Sequence, residues 1–411
     1  MEDQIIPHLF KTEYQKIIAV LLKKFGFEQI EIAEDITSET FLTACQAWGI
    51  QGYPENPVAW LYSVAKNKAI NYLKRSSHFK SKIAGNLKTN EWNETDIDLS
   101  EQHISDSQLQ MMFAICHPRI SIESQVSLSL RVLCGFGIDE IADAFLTNKE
   151  TINKRIYRAK EKLSQEKVQI CMPSIEEMEI RLGQVLLTIY LLFNEGYYSE
   201  SNEQTIRKDL CLEAIRLCKM LTENKDTARP EVFALLALMC FHSSRFEARI
   251  NRDGSLILYD DQDELLWDQE LIKMGVYYLN CSASGDQLTK YHLEANIAYW
   301  NTKKEDSKEK WENILKLYNL LLQIEYSPVA ALNRTYALSK ANGKQEAIIE
   351  AEKLQLTSYH FYYALLGELY TDIDNIKAQE NFAKSISIAK TEKDRQVLKR
   401  KAADLLSTPN R

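Results

Sequence analysis

Six cations crowd one short stretch of this chain. Between Thr147 and Leu163, Lys149, Lys154, Arg155, Arg158, Lys160 and Lys162 stand against only Glu150 and Glu161, a local net of +4 on a chain of net −8. Side chains of this kind neutralise phosphates, and on a helix that enters the major groove a guanidinium also reads base edges. Asn148 and Thr151 add short polar groups at the start of that helix, the end of a recognition helix that meets the bases. A second cationic run lies upstream. From Asn56 to Asn90 there is no acid, while Lys66, Lys68, Lys74, Arg75, Lys80, Lys82 and Lys88 give +7. Asn67 and Asn71 lie among these cations, which suit a phosphate backbone.

Helices must position these groups. Ile138, Ile141, Ala142 and Phe145 recur at helical spacing, and Ile152, Ile156, Ala159 and Leu163 repeat the pattern after a break. Thr147 and Glu150 have capping-box spacing between the two. The whole stretch from Gly137 to Leu163 therefore reads as a helix-turn-helix. Thr12 with Gln15 reads as a capping box opening a helix to about Phe25. A helix from about Ile32 to Trp48 carries Ile36, Thr40, Phe41, Ala44 and Trp48 on one side. Asn56-Pro57 is a cap followed by proline at the first helical position, opening Val58 to Arg75 with Leu61, Val64, Ala65 and Leu73 inward. Trp60 and Tyr62 read as core more than as base-stacking surfaces.

Composition sets the class. The chain has 411 residues, 45% hydrophobic and 26% charged, with only 13 Gly and 8 Pro, which bounds it to two to four domains rich in helix. The fold class expected is all-α. Ser255 to Tyr259 is the one alternating stretch, read as a short hairpin arm. Ser76 to Ser105 turns acidic and loses periodicity, as a linker would. The longest apolar stretch, about Val185 to Phe193, is too short to span a bilayer, and the N-terminus lacks a signal peptide's basic and apolar segments. Scattered cysteines suit a reducing cytoplasm. Cys116–His117 lacks the partners of a zinc site, and Asp260, Asp261 and Asp263 lack the spacing of a calcium loop. His242, His292 and His360 sit in apolar helical context. No catalytic constellation is present, and no cofactor is expected. Near the C-terminus Tyr363, Leu366, Gly367, Tyr370, Ala378 and Phe382 fall close to tetratricopeptide-repeat spacing, with a looser copy at Leu332, Tyr336, Ala337, Gly343 and Ala347.

Taken together, the first 165 residues resemble a bacterial sigma factor of the extracytoplasmic-function (ECF) type. AEDITSETFLTACQAW, from Ala33, is similar to the helix with which such factors dock on the clamp helices of the RNA polymerase largest subunit. The family pattern maps onto Asp35, Glu39 and Phe41, with Ser38 in place of the usual Gln. PENPVAWLYSVAKNKAINYLKR, from Pro54, is similar to the promoter-melting, −10-reading helix. Trp60, Asn67, Lys74 and Arg75 match there, and Asn71 stands where Asp is commonest. Gly137 to Leu163 resembles the −35-reading domain. Beyond it, FAICHPRIS from Phe113, YLLFNEGYYSE from Tyr190, LCLEAIRL from Leu210, ALLALM from Ala234, DDQDELLWD from Asp260 and SPVAALNRTYAL from Ser327 resemble a subgroup with a long C-terminal tetratricopeptide-repeat-like extension; Glu264 replaces its usual Arg.

The resemblance implies two small helical sigma-type domains followed by a helical repeat domain. Residues 1–76 would dock polymerase and read −10, 77–106 form a flexible linker, 107–168 read −35, and 174–411 form the extension, clearest over 311–411. Asp35, Glu39 and Phe41 would contact polymerase. Asn67, Asn71, Lys74 and Arg75 would receive the −10 strand; Asn148, Lys149, Thr151, Lys154, Arg155 and Arg158 would meet the −35 groove. Its partners would be core RNA polymerase, promoter DNA and a regulatory protein or peptide held by the repeats, in the cytoplasm and without enzymatic activity. A rival reading, a helix-turn-helix regulator with a repeat sensor domain that never joins polymerase, explains Gly137–Leu163 but leaves the two upstream stretches without a purpose.

Overall fold

Helical periodicity is realised throughout the described residues. The computed structural model describes residues 5–84, 97–145, 147–198, 207–249, 257, 259–389 and 392–407, and among these every regular element is helical. Contacts divide the chain into two compact units, Met1–Gly196 and Tyr197–Arg411. The hairpin arm expected at Ser255 to Tyr259 falls mostly outside the described residues; Tyr259 itself opens a short 3-10 turn. No described helix is long and apolar enough to cross a membrane.

The first unit runs through α1 (Ile5–Phe25), a 3-10 turn (Phe27–Gln29), α2 (Ile30–Gln51), α3 (Pro57–Ala84), α4 (Glu101–Ile115), α5 (Ile122–Val132), α6 (Ile138–Ala144), α7 (Lys149–Gln165) and α8 (Ile175–Tyr198). Helix α1 starts earlier than the Thr12–Gln15 spacing suggests. Ile5, Ile6 and Leu9 extend its apolar side, and the Thr12 hydroxyl donates back to the His8 carbonyl inside the helix instead of capping it. Proline does open α3, with Asn56 Oδ1 accepting from the Ala59 N–H at 3.0 Å. That helix passes the expected end at Arg75 and reaches Ala84; residues 85–96, the middle of the acidic stretch, lie outside the described residues. The first unit continues past residue 174, the expected start of the extension. Arg181 on α8 donates to the Phe113 carbonyl, and Gln184 and Thr188 both donate to Gln125 Oε1, so α8 packs with α4 and α5.

The second unit comprises α9 (Lys208–Glu223), α10 (Pro230–Ser243), α11 (Phe246–Arg249), α12 (Gln269–Cys281), α13 (Lys290–Trp300), α14 (Lys308–Ile324), α15 (Pro328–Asn342), α16 (Lys344–Leu354), α17 (His360–Tyr370), α18 (Asn375–Ile388) and α19 (Glu392–Ser407). Helices adjacent in sequence pack as hairpins, among them α14 with α15 and α17 with α18. Gly367 shows why a small residue is needed: a Cβ there would sit 2.9 Å from the Phe382 ring. Gly275 makes the same allowance for Phe241, a pair that the repeat spacing did not single out. The aspartate stretch is structural in its contacts. Asp263 caps a 3-10 turn at the Leu265 N–H, Asp261 pairs with Arg400 at 2.9 Å, and the buried Lys310 donates to the Tyr259 hydroxyl.

Candidate nucleic-acid interface

The cationic helix is built on its cap and its buried stripe. Asn148, not Thr147, is the N-cap of α7, its Oδ1 accepting from the Thr151 N–H at 2.8 Å. The preceding helix α6 starts at Gly137, whose N–H is bound by Glu140 Oε2 at 2.7 Å. Ile152, Ile156, Ala159 and Leu163 are buried, as their spacing requires. The opposite side carries the expected groove residues. Asn148, Lys149, Lys154 and Arg158 are exposed, whereas Thr151 and Arg155 are half-buried. Lys149 pairs with Asp139 at 2.7 Å, an exposed contact that a phosphate can displace cheaply. Tyr157 stands 66% exposed among these cations, a surface aromatic that the pattern search passed over.

Lys160 and Lys162 turn aside. Lys162 pairs with Glu166 at 3.1 Å. Lys160 is half-buried, and burial pulls its ammonium pKa below the usual lysine value against the pull of Glu34 and Glu31.

On α3, Asn67, Asn71, Lys74 and Arg75 are all exposed, and their spacing puts them on one stripe of the helix. Lys68, one position round, donates to Glu39 Oε2 of α2 at 3.2 Å. At the head of α3 three aromatics gather: Trp48 lies 5.5 Å from Tyr53 and 5.2 Å edge-on from Trp60. Trp48 is buried, Trp60 half-buried and Tyr53 exposed, so the cluster has a core end and an open end suited to stacking a base. Tyr62 is a strut: its hydroxyl donates to the buried Glu13 on α1, and burial raises its pKa.

Helix α2 separates two kinds of residue by its period. Ile36, Thr37, Thr40, Phe41, Ala44 and Trp48 are buried; Asp35, Ser38, Glu39 and Leu42 are exposed. Phe41 therefore departs from the expected contact role. It is 4% exposed, with the Phe10 ring at 5.1 Å and the Tyr14 ring at 5.9 Å closing over it from α1. The apolar groups that this helix does offer are Leu42, 57% exposed, and Ile50, 87% exposed. Their helical register with Asp35 and Glu39 was visible in the sequence.

Residues 9–79, which hold α2 and nearly all of α3, match the family described as Sigma-70 region 2. That stretch is a Sigma-70 region 2 domain. An ECF RNA polymerase sigma factor, BldN of Streptomyces coelicolor, is 32% identical over 130 residues, covering 31% of this chain and 47% of that relative. An uncharacterized protein of Rhizobium meliloti is 30% identical over 371 residues, 88% of this chain and 87% of its own length. The chain and that relative therefore share one family across both units. Residues 181–283 match a family of unknown function (DUF6596). No solved structure matches the chain.

Proposed function

We propose that this protein is a sigma factor of the ECF type that binds core RNA polymerase and directs initiation at particular promoters. One observation carries the reading: a single unit presents an acid-and-apolar stripe on α2, a polar-cationic stripe on α3 and a cationic capped helix α7. Asp35 and Glu39 pair with basic groups of the polymerase, and Leu42 fills an apolar contact between them; Phe41 holds α2 at the right height from inside. Charge pairs of this kind set register and partner choice more than affinity. The α3 stripe, Asn67, Asn71, Lys74 and Arg75, takes the separated −10 strand, with the Trp48–Tyr53–Trp60 cluster as its stacking wall. Helix α7 enters the −35 groove by its capped end. Lys154 and Arg155 are assigned base or adjacent phosphate contacts, Arg158 phosphate, and Asn148, Lys149 and Thr151 the rim of the same contact. The likeness to BldN, an ECF RNA polymerase sigma factor, supports this reading.

The second unit is assigned a regulatory role. Stacked helical hairpins of tetratricopeptide-like spacing form surfaces suited to a peptide or helix, and the unit carries no chemistry of its own in this reading.

The test is co-purification with core polymerase. The intact protein is expected to be retained and the Asp35→Ala, Glu39→Ala, Leu42→Ala protein lost from the complex. A protein that bound duplex DNA yet never joined polymerase would instead be the helix-turn-helix regulator.

A further inference from the structure

A cavity in the second unit holds a buried hydrogen-bond donor that the fold leaves unused. It measures about 470 Å³ and is lined by α12, the loop after it and α13, a size that suits a small organic molecule. Val276, Leu279 and Leu288 give it apolar walls, Tyr299 an aromatic one, and His292 and Asn296 a polar edge. The loop turns over at Gly285, whose φ of +89 is a conformation that a side chain disfavours. Its serine hydroxyls are used locally: Ser282 donates to the Leu279 carbonyl at 2.7 Å and Ser284 to that of Cys281 at 3.3 Å.

His292 is 6% exposed. Its Nδ1 accepts the Thr289 N–H at 3.2 Å and lies 2.8 Å from the Thr289 hydroxyl, and burial keeps the ring neutral by pulling its pKa down. The one proton of the neutral ring therefore sits on Nε2. That N–H has no acceptor. The Ser282 carbonyl is near enough to favour the charged ring but closes no hydrogen bond to Nε2. An unpaired donor inside a protein is costly, and a ligand oxygen would relieve it. Asn296 lies one turn further along the same face of α13. Its Nδ2 donates to the His292 carbonyl at 2.8 Å, so the atom it still offers is Oδ1, an acceptor.

We propose that this cavity binds a small uncharged amide, whose carbonyl oxygen accepts from His292 Nε2 and whose N–H donates to Asn296 Oδ1. The ligand's apolar body lies against Val276, Leu279 and Leu288. Charge around the cavity selects against ions. Asp286 at the rim, and Glu231 acting on His292 from α10, repel a carboxylate; an ammonium brings no acceptor to the Nε2 proton. The site lies wholly in the second unit and stands or falls apart from the sigma-factor reading.

The full-length protein is labelled with nitrogen isotope in its 7 histidines and followed by NMR, His292 being assigned by the signal lost in His292→Gln. The ring is expected to carry its proton on Nε2 at neutral pH and to shift saturably as N-hexylacetamide is added. Hexanoate and hexylammonium are expected to bind about tenfold more weakly, as loss of a hydrogen bond to a buried donor implies. Asn296→Leu, of similar shape, should weaken the amide about tenfold and leave hexanoate unchanged. Ala283→Trp, on the exposed rim, should abolish the shift while helix content by circular dichroism stays native. Four outcomes overturn the assignment: a wild-type signal that stays fixed up to the solubility of the amide, a shift that persists in Ala283→Trp, hexanoate binding as tightly as the amide, or Asn296→Leu binding the amide as wild type does.

Discussion

Phe41 and Leu42 are adjacent in sequence and opposite in role. Phe41 is sealed beneath Phe10 and Tyr14, and Leu42 projects 57% exposed beside Glu39. Phe41→Ala should therefore cost about 3–5 kcal/mol of stability through a cavity, seen as a lowered urea midpoint. Leu42→Ala should leave that midpoint within roughly 0.5 kcal/mol and weaken retention of core polymerase; the opposite pattern would return Phe41 to the contact surface. The stripe to which Phe41 belongs was legible from its period. Its burial was not, because that depends on α1 starting at Ile5 and carrying Phe10 across. Two histidines give a pH signature in the second unit. Burial holds the pKa of His292 below the ordinary value and that of His242 well below it, the latter helped by Arg245 and Arg249. Their folded values lie below the unfolded ones, so stability is complete above about pH 6.5 and is lost as pH falls below it. Each can contribute up to about 1.4 kcal/mol per pH unit. His292 Nδ1 also accepts the Thr289 N–H at the head of α13, a bond that protonation breaks. Chemical denaturation from pH 7 to 5 should show the fall, and His292→Gln should flatten it.

At the scale of the helix, caps and close approaches decide the outcome. Asn148→Ala removes the acceptor for the Thr151 N–H and should destabilise the first unit by about 1 kcal/mol. It should also weaken binding to a −35 duplex by loosening the end of α7 that meets it. Lys154→Ala should weaken binding to all duplexes alike and reduce the salt slope by about 1, whereas Arg155→Ala should lose about 1–3 kcal/mol on the preferred sequence only. Fluorescence anisotropy at several salt concentrations separates the two, and equal behaviour would remove base reading from Arg155. In the second unit Gly367→Ala drives a methyl group into Phe382 and should lower stability by about 1–3 kcal/mol. These elements were unevenly legible. Asn56-Pro57 marks the start of α3 without ambiguity, since proline suits only the first turn. Thr147 and Asn148 compete for one cap, and a side-chain bond one residue further along settled it. The end of α3 was missed because Ser76 to Ala84 lacks the apolar period but continues the helix.

The whole molecule divides into two helical units, the first of them proposed to bind promoters, and its all-α class followed directly from composition and period. The division between the units was less legible. The extension was expected to begin at residue 174, yet α8 beyond it supplies Arg181, Gln184 and Thr188 to α4 and α5, contacts between residues about 60 apart in sequence that no local pattern reveals. The match to a family of unknown function begins inside α8 and ends with α12, so the likeness crosses that division too. A relative aligned over 88% of this chain indicates that the pairing of the two units recurs as a whole. The most direct measurement is run-off transcription with purified core RNA polymerase on a library of promoter fragments. The account predicts that adding this protein yields discrete transcripts from a small sequence-related subset, lost with Lys74→Ala, Arg75→Ala. Transcripts no different from those of core polymerase alone would contradict it.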